Sequence, residues 1–329
     1  MNKDHSMTNP ARTARPFELL QRVLPLLAAA LFAFACSPPA LADAPGIGHV
    51  ETMGEGEKTL ILVPGLGCDW TVWRAFMERN KDRYTMHAIT LAGFGDTPPP
   101  ADPGHDEGTP WLDGAIAAIG AHIDAHGLDR PILVGHSLGG HLALRFAAER
   151  PGVLGGAVCV DGLPVFPLGI PIPADQREAF VNQNIAPQLR GMSDEMWAMQ
   201  QRQSVEGMVR DEARRAELAA MILEPSREVT VRYLLELFKS DIVADLAQIA
   251  DPALLIGAVP GENVPGAAQI AAMMREVWRD SEKASAHLRV VTLKNTGHFV
   301  MDDAPDRLDA MVRAFVAGED VRPLGDDAR

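Results

Sequence analysis

A serine lies among glycines in Gly135-His136-Ser137-Leu138-Gly139-Gly140. The apolar run Pro131–Val134 precedes it, and Leu138 to Glu149 follow with helical spacing. The serine therefore falls on a tight strand-to-helix turn, which pushes its Oγ out above a sheet. The glycines leave room for close backbone approach. The amino end of the following helix favours negative charge, and the Leu138 amide points to where an oxyanion would form. A second glycine turn, Val63-Pro64-Gly65-Leu66-Gly67, ends the apolar run Lys58–Val63 and offers the Leu66 amide as a second donor. His298, in Asn295-Thr296-Gly297-His298-Phe299, follows the run Leu288–Leu293 and precedes the last helical segment. A base late in the chain, after the nucleophile, fits this order of groups. Together these residues can perform acyl transfer through a serine nucleophile.

Each feature also has a plainer reading. The serine could cap a helix after a glycine-rich connector, the Pro64–Gly67 segment could be an ordinary turn, and His298 could merely pack or cap the last helix. A strand before the turn and a helix after it favour the chemical reading. His122 and His126 are four apart on a predicted helix, as two metal ligands could be. No third ligand or H-E-x-x-H pattern accompanies them, so they read as a solvated face, and no metal site is expected. His136 and His141 flank the nucleophile and read as packing or site-lining residues.

The elements that must position these groups alternate from residue 47 onward. Strands are predicted at Lys58–Val63, Tyr84–Leu91, Pro131–Val134 and Gly155–Val160, and helices at Trp70–Arg79, Trp111–His126 and Leu138–Glu149. The glycine-rich loop Ala92-Gly93-Phe94-Gly95 leads into Pro98, Pro99, Pro100 and Pro103, which keep the next stretch irregular. The rhythm breaks over 162–248, where only helix-period segments occur, near 174–184, 193–203, 211–223 and 229–238. It returns at Ala253–Ile256, Ile270–Trp278, Leu288–Leu293 and Pro305–Val316. A helical lid inserted into a mostly parallel α/β domain accounts for this pattern, over the sheet edge where open α/β folds bind ligands. Met192, Met196, Met199, Met208 and Met221 in the insertion suggest an adaptable apolar surface, or more simply lid packing.

Composition bounds the rest. Of 329 residues, 47% are apolar and 22% charged, which describes a globular chain with a core. Aromatics make up only 5%, so aliphatic side chains must fill that core. A formal charge of −14 repels phosphate backbones, and no nucleic-acid partner is expected. Residues 1–44 have the three parts of an export signal: basic Lys3, Arg12, Arg15 and Arg22, an apolar stretch Val23–Ala35, and the small-residue sites Ala40-Leu41-Ala42 and Ala42-Asp43-Ala44. The expectation is an exported, periplasmic or secreted protein. Lipid attachment at Cys36 is the alternative, although Phe34 is bulky for such a site. No later stretch is apolar and long enough to span a bilayer. Cys68 and Cys159 are expected as two buried free thiols, although an oxidising compartment would permit pairing. The domain reading is a leader at 1–44, a core at 45–161 and 249–329, and a lid at 162–248. Nothing in the sequence sets an oligomeric state.

On these motifs the chain resembles the α/β-hydrolase superfamily over roughly residues 47–317. The resemblance rests on the Gly135–Gly139 elbow, the Pro64–Gly67 turn, the Ala92–Gly95 loop and Gly297-His298-Phe299. It implies a mostly parallel, eight-stranded sheet and a hydrolase without cofactor or metal. Serine at 137 argues against the haloalkane dehalogenase and epoxide hydrolase branches, whose nucleophile is a carboxylate. Two departures stand out. The oxyanion turn begins Pro64-Gly65 where the family usually has His-Gly, which loses a side chain but keeps the amides. The acid that the family mostly carries as Asp after the seventh strand has no Asp here. That strand ends Ile256-Gly257-Ala258-Val259-Pro260-Gly261-Glu262, with Glu262 as the nearby carboxylate. Some members carry the acid after the sixth strand, where this chain has Asp161. Either residue has a plainer role, Asp161 as a turn cap and Glu262 as a solvated loop charge. Asp161 is favoured because a rigid strand end holds a site better than a Pro/Gly-rich loop. Asp302 and Asp303, beside His298, are the next carboxylates in line.

The resulting expectation is a carboxylesterase-like serine hydrolase acting on a small-molecule acyl substrate. Lactones, thioesters and amides stay open as substrates. The rival readings are a non-catalytic ligand-binding protein on the same scaffold and a lyase using the same three residues.

Overall fold

The computed structural model describes residues 46–100, 110–262, 264 and 267–322. The leader reading, with Cys36, lies outside the described residues, as does part of the proline-rich stretch after Pro100. Seven strands form one sheet: β1 (Ile47–Met53), β2 (Lys58–Val63), β3 (Tyr84–Leu91), β4 (Ile132–His136), β5 (Gly156–Val160), β6 (Ala253–Val259) and β7 (Leu288–Lys294). Their order is β1-β3-β2-β4-β5-β6-β7. Only β1 runs antiparallel, against β3; the other pairings are parallel. The described sheet is thus one strand short of the eight that the resemblance implies.

Strand side chains alternate between two cores, as the period of two requires. Ile61, Val63, Leu133, Ala157 and Leu255 pack beneath α2 (Trp111–Ala125) and α3 (Leu138–Glu149). Leu60, Leu62, Val134, Val158 and Ile256 face the other way, against α1 (Arg74–Asn80) and α11 (Pro305–Val316). Both faces are covered, which is why the strands read as continuous apolar runs. The parallel strands all end at one edge. There the chain leaves β2 toward β3 on one side, while β4 lies on the other. This reversal of strand order opens the crevice in which open α/β sheets place ligands.

Between β5 and β6 the chain forms a helical insertion: α4 (Ala174–Phe180), a π-helical turn over 181–185, α5 (Ala186–Gly191), α6 (Asp194–Glu206), α7 (Glu212–Leu223) and α8 (Arg227–Lys239). Ser193, Asp211 and Ser226 cap α6, α7 and α8 by accepting from backbone amides in the first turn. The two ends of the insertion meet in a neck, where Ile242 N–H donates to Pro164 O and Val165 bridges Asp241. Helix α8 is tied to the core. Glu236 accepts from the Trp111 and Leu112 amides, capping α2 from outside, and the Tyr233 hydroxyl donates to Ala92 O. Met192, Met208 and Met221 pack against apolar clusters, whereas Met196 and Met199 are exposed. The remaining elements are α9 (Ala267–Ala284), which leads to β7, and the short α10 (Val300–Asp303) before α11.

The solvated-face reading of His122 is corrected here. His126 is exposed, but His122 is buried, and its Nε2 lies 3.1 Å from His87 Nδ1 on β3. Spacing along α2 could not show this, because His87 comes from a strand 35 residues earlier. Burial and the neighbouring histidines push the His122 pKa down to about 4, and burial lowers that of His87 as well. Folded His122 resists a proton that the unfolded chain accepts near pH 6.5. Its contribution to stability is therefore complete above pH 6.5 and lost as pH falls toward 4. The melting temperature should drop on acidification through this window. His122→Gln, which keeps a polar partner for His87 but does not titrate, should lessen that drop by about 5 °C. Identical profiles for variant and wild type, by calorimetry from pH 7.5 to 4, would assign the acid sensitivity elsewhere.

Candidate active site

Ser137 sits between β4 and α3 with φ 53° and ψ −113°, a conformation disfavoured for a side-chain-bearing residue. Main-chain bonds hold it there. Its N–H donates to Val160 O at 2.9 Å, and its carbonyl accepts from His141 N–H at 3.0 Å. The flanking glycines are required by contact, since a Cβ on Gly135 would stand 1.9 Å from Gly139 O. Gly139 N–H also donates to Pro64 O, which fastens the elbow to the Pro64–Gly67 turn. A Cβ on Gly65 would come within 3.2 Å of the Ser137 Cβ, so the two turns touch. Among the described residues, neither the Leu66 nor the Leu138 N–H is engaged in a hydrogen bond. Two free amides therefore flank the serine.

Asp161 ends β5, also with positive φ (49°). Its N–H donates to Ile256 O at 2.7 Å, and its Oδ1 accepts from Ala258 N–H at 2.8 Å. The other oxygen, Oδ2, lies 2.6 Å from His298 Nδ1. Each carboxylate oxygen thus has one partner, and the side chain has little freedom to turn. His298 is carried by the loop after β7, which is held to β6 by Thr296 N–H donating to Val259 O. Its side chain is about one quarter exposed (27%). The structure joins Asp161 to His298, joins His136, the residue before Ser137, to the His298 carbonyl, and sets the Pro64–Gly67 turn against Ser137. Among the described residues no hydrogen bond links Ser137 to His298. Glu262 is not brought in; it stands exposed in the turn after β6.

Two further histidines secure the arrangement. His136 is fully buried, and its Nε2–H donates to the His298 carbonyl at 3.0 Å. Its Nδ1 is buried without a partner, and burial, reinforced by His298, holds its pKa well below the usual histidine range. It is a neutral strut between the Ser137 turn and the His298 loop. His141 donates from Nδ1 to Leu163 O and accepts at Nε2 from the Ser240 hydroxyl, so it pins both ends of the insertion. Burial lowers its pKa to about 4. Sequence spacing marked both as neighbours of the serine, but their partners lie 162, 22 and 99 residues away. Cys68 and Cys159 are unpaired and buried. Burial raises both thiol pKa values, that of Cys68 to about 12, so neither is a thiolate nucleophile at neutral pH.

A cavity of about 670 Å³ lies elsewhere, between the insertion and the ends of α2 and α3. Arg145, Arg232, Lys239, Asp113, Glu149 and Glu236 are among its lining residues, and none of Ser137, Asp161 and His298 is. Arg145 pairs with Asp113 and Glu149, Arg232 with Glu236, and Lys239 with Glu178. The cavity is a charged surface recess and takes no part in the site around Ser137.

Comparison with known proteins agrees with this architecture. The model of the alpha/beta hydrolase family matches residues 60–311. A pimeloyl-[acyl-carrier protein] methyl ester esterase of Xanthomonas campestris pv. campestris is 30% identical over 273 residues, which is 82% of this chain and 98% of that protein. Among solved structures, a hydrolase from Oleispira antarctica aligns with a TM-score of 0.67 at 16% identity, covering 84% of this chain and 97% of its own. A thermophilic esterase from Thermogutta terrifontis aligns at 0.61 with 19% identity, covering 82% and 93%. At those identities the structural matches speak for the fold, while the family model and the esterase relative extend over most of the chain. On this evidence the protein is an esterase-like hydrolase and belongs to the alpha/beta hydrolase family.

Proposed function

We propose that the protein hydrolyses carboxylic esters of small alcohols through an acyl-enzyme on Ser137. The observation that carries this reading is the 2.6 Å contact of His298 Nδ1 with Asp161 Oδ2, beside a serine held on a strained turn. His298 Nε2 takes the Ser137 proton as Oγ attacks the ester carbonyl. The Leu66 and Leu138 amides receive the developing oxyanion. Asp161 holds the proton on Nδ1 and stabilises the imidazolium that forms. Collapse of the tetrahedral intermediate expels the alcohol, which takes the proton from His298. Water, activated by the same base, then releases the acid and regenerates the serine. The methyl ester named for the Xanthomonas relative supports a small alcohol as leaving group. The helical insertion acts in this reading as the lid over the crevice, with α8 as its fixed base.

The test uses purified protein with a panel of methyl and p-nitrophenyl esters of varied acyl length, and a fluorophosphonate probe. Turnover of at least one ester class is expected, together with a single phosphonyl adduct on the peptide containing Ser137. No turnover and no adduct would leave a ligand-binding scaffold. Cleavage without uptake of ¹⁸O from labelled water would indicate a lyase.

A further inference from the structure

The loop that carries His298 is held from a direction the triad does not explain. Asp303, at the end of α10, is almost fully buried, with 3% of its side chain exposed. Its Oδ2 accepts from Gly297 N–H at 2.8 Å, the residue before His298. Its Oδ1 accepts from Arg210 N–H at 2.9 Å, in the turn between α6 and α7 of the insertion. One carboxylate thus joins two segments 87 residues apart, with one backbone amide from each on a different oxygen. The same two segments meet again where Phe299 N–H donates to Met208 O at 3.1 Å. Gly297 permits this approach, because a Cβ there would stand 2.5 Å from Met208 O and 2.7 Å from Asp303 Oδ2. The Arg210 side chain adds an ion pair with Asp303 at 3.3 Å, and Arg214 on α7 adds one with Asp302 at 3.2 Å.

We infer that Asp303 is a positioning residue that seats the 207–211 turn of the insertion on the base loop, so that docking of the insertion sets where His298 stands. The inference rests on His298 being the general base. The contacts on His298 itself, from Asp161 and His136, come from the sheet side. Asp303, with the Phe299 N–H to Met208 O bond, ties the same loop to the insertion. A carboxylate is required by the donor count. Both of its oxygens face backbone N–H groups, and neither N–H can accept. An asparagine of the same shape offers one oxygen, and its NH₂ would confront a donor. Asp303→Asn must therefore give up its bond either to the Gly297 amide or to the Arg210 amide. A displacement near 1 Å is enough to misalign a general base.

The experiment compares full-length protein and variants on one p-nitrophenyl ester the wild type hydrolyses. Asp303→Asn is expected to lower kcat by about 10- to 100-fold, with KM changed by less than about threefold. Arg210→Ala keeps the backbone N–H that Asp303 accepts from and removes the side chain's ion pair with Asp303 and its hydrogen bond to the Asp303 carbonyl, so its kcat should stay within about threefold of wild type. Hydrogen exchange on the wild type needs no variant. Peptides covering 207–211 and 295–300 should open together, and both should exchange faster in Asp303→Asn. Independent opening of the two peptides in the wild type overturns the inference. So does Asp303→Asn with wild-type kcat and KM, whatever its melting temperature. Ser137→Ala and His298→Ala are measured alongside. If they stay active, the serine mechanism has failed; if they are inactive while Asp303→Asn is normal, only the role of Asp303 has.

Discussion

Ser137→Ala is expected to lower kcat for ester hydrolysis by about 10⁵- to 10⁶-fold while leaving the protein folded, because members of such a triad act as a unit. The fold should survive for local reasons. The contacts that hold residue 137 in its strained conformation are main-chain bonds, to Val160 O and from His141 N–H, and alanine makes both. Alanine at φ 53° carries the same backbone cost as serine, so the strain neither rises nor relaxes. Its Cβ occupies the place the serine Cβ already has against Gly65. The melting temperature should therefore match wild type within about 2 °C. His298→Ala should lose as much activity, since a serine without its base is a weak nucleophile at neutral pH. Residual turnover by either variant should resemble that of the two oxyanion amides acting on bound substrate with water as nucleophile. Steady-state assays, with active-site titration of the wild type to exclude contaminating esterase, decide the matter. Activity of Ser137→Ala within tenfold of wild type would end the serine mechanism.

Asp161→Asn is expected to cut kcat by roughly 10⁴-fold, with KM little changed. The geometry explains why so small a change should cost so much. Asp161 Oδ1 accepts from Ala258 N–H, so an asparagine would place its oxygen there and turn its NH₂ toward His298 Nδ1. Nδ1 must then accept, which moves the ring proton to Nε2, the nitrogen needed to receive the serine proton. The base is blocked in the wrong tautomer rather than displaced. Asparagine tolerates positive φ as readily as aspartate, so the strand end should keep its shape. Glu262→Gln, in an exposed turn away from the histidine, should alter kcat by no more than about threefold. Rate profiles of both variants from pH 5 to 9 provide the comparison. A large loss for Glu262→Gln, with Asp161→Asn near normal, would move the acid to the turn after β6.

Much of the architecture was legible because it is written in local patterns. Lys58–Val63 and Tyr84–Leu91 coincide with β2 and β3, and Leu138–Glu149 with α3, since a two-sided sheet demands unbroken apolar strands and a helix follows its own period. The elbow was legible for a sharper reason. A strand-to-helix turn that tolerates no Cβ at its flanks leaves glycine as its mark in the sequence. The π-helical turn at 181–185 was not legible, and neither was the division of the 174–191 segment into separate helices. Their apolar spacing differs too little from one continuous helix.

The sequence by itself therefore determined the α/β rhythm, the helical insertion, the serine turn and the histidine loop, because each depends on neighbours within a few residues. It favoured Asp161 over Glu262 as the acid but could place neither beside His298. That choice depended on which strand ends lie side by side: β5 pairs with β6 and β6 with β7, which brings residue 161 to residue 298 across 137 positions. The burial of His122 against His87, the strut from His136 to the His298 carbonyl, and the carboxylate of Asp303 between two distant amides were decided in the same way. Hydrogen bonds of this kind leave no period in the chain. They require only a donor and an acceptor that the packed sheet and helices bring within 3 Å or so, and that proximity is a property of the tertiary structure alone.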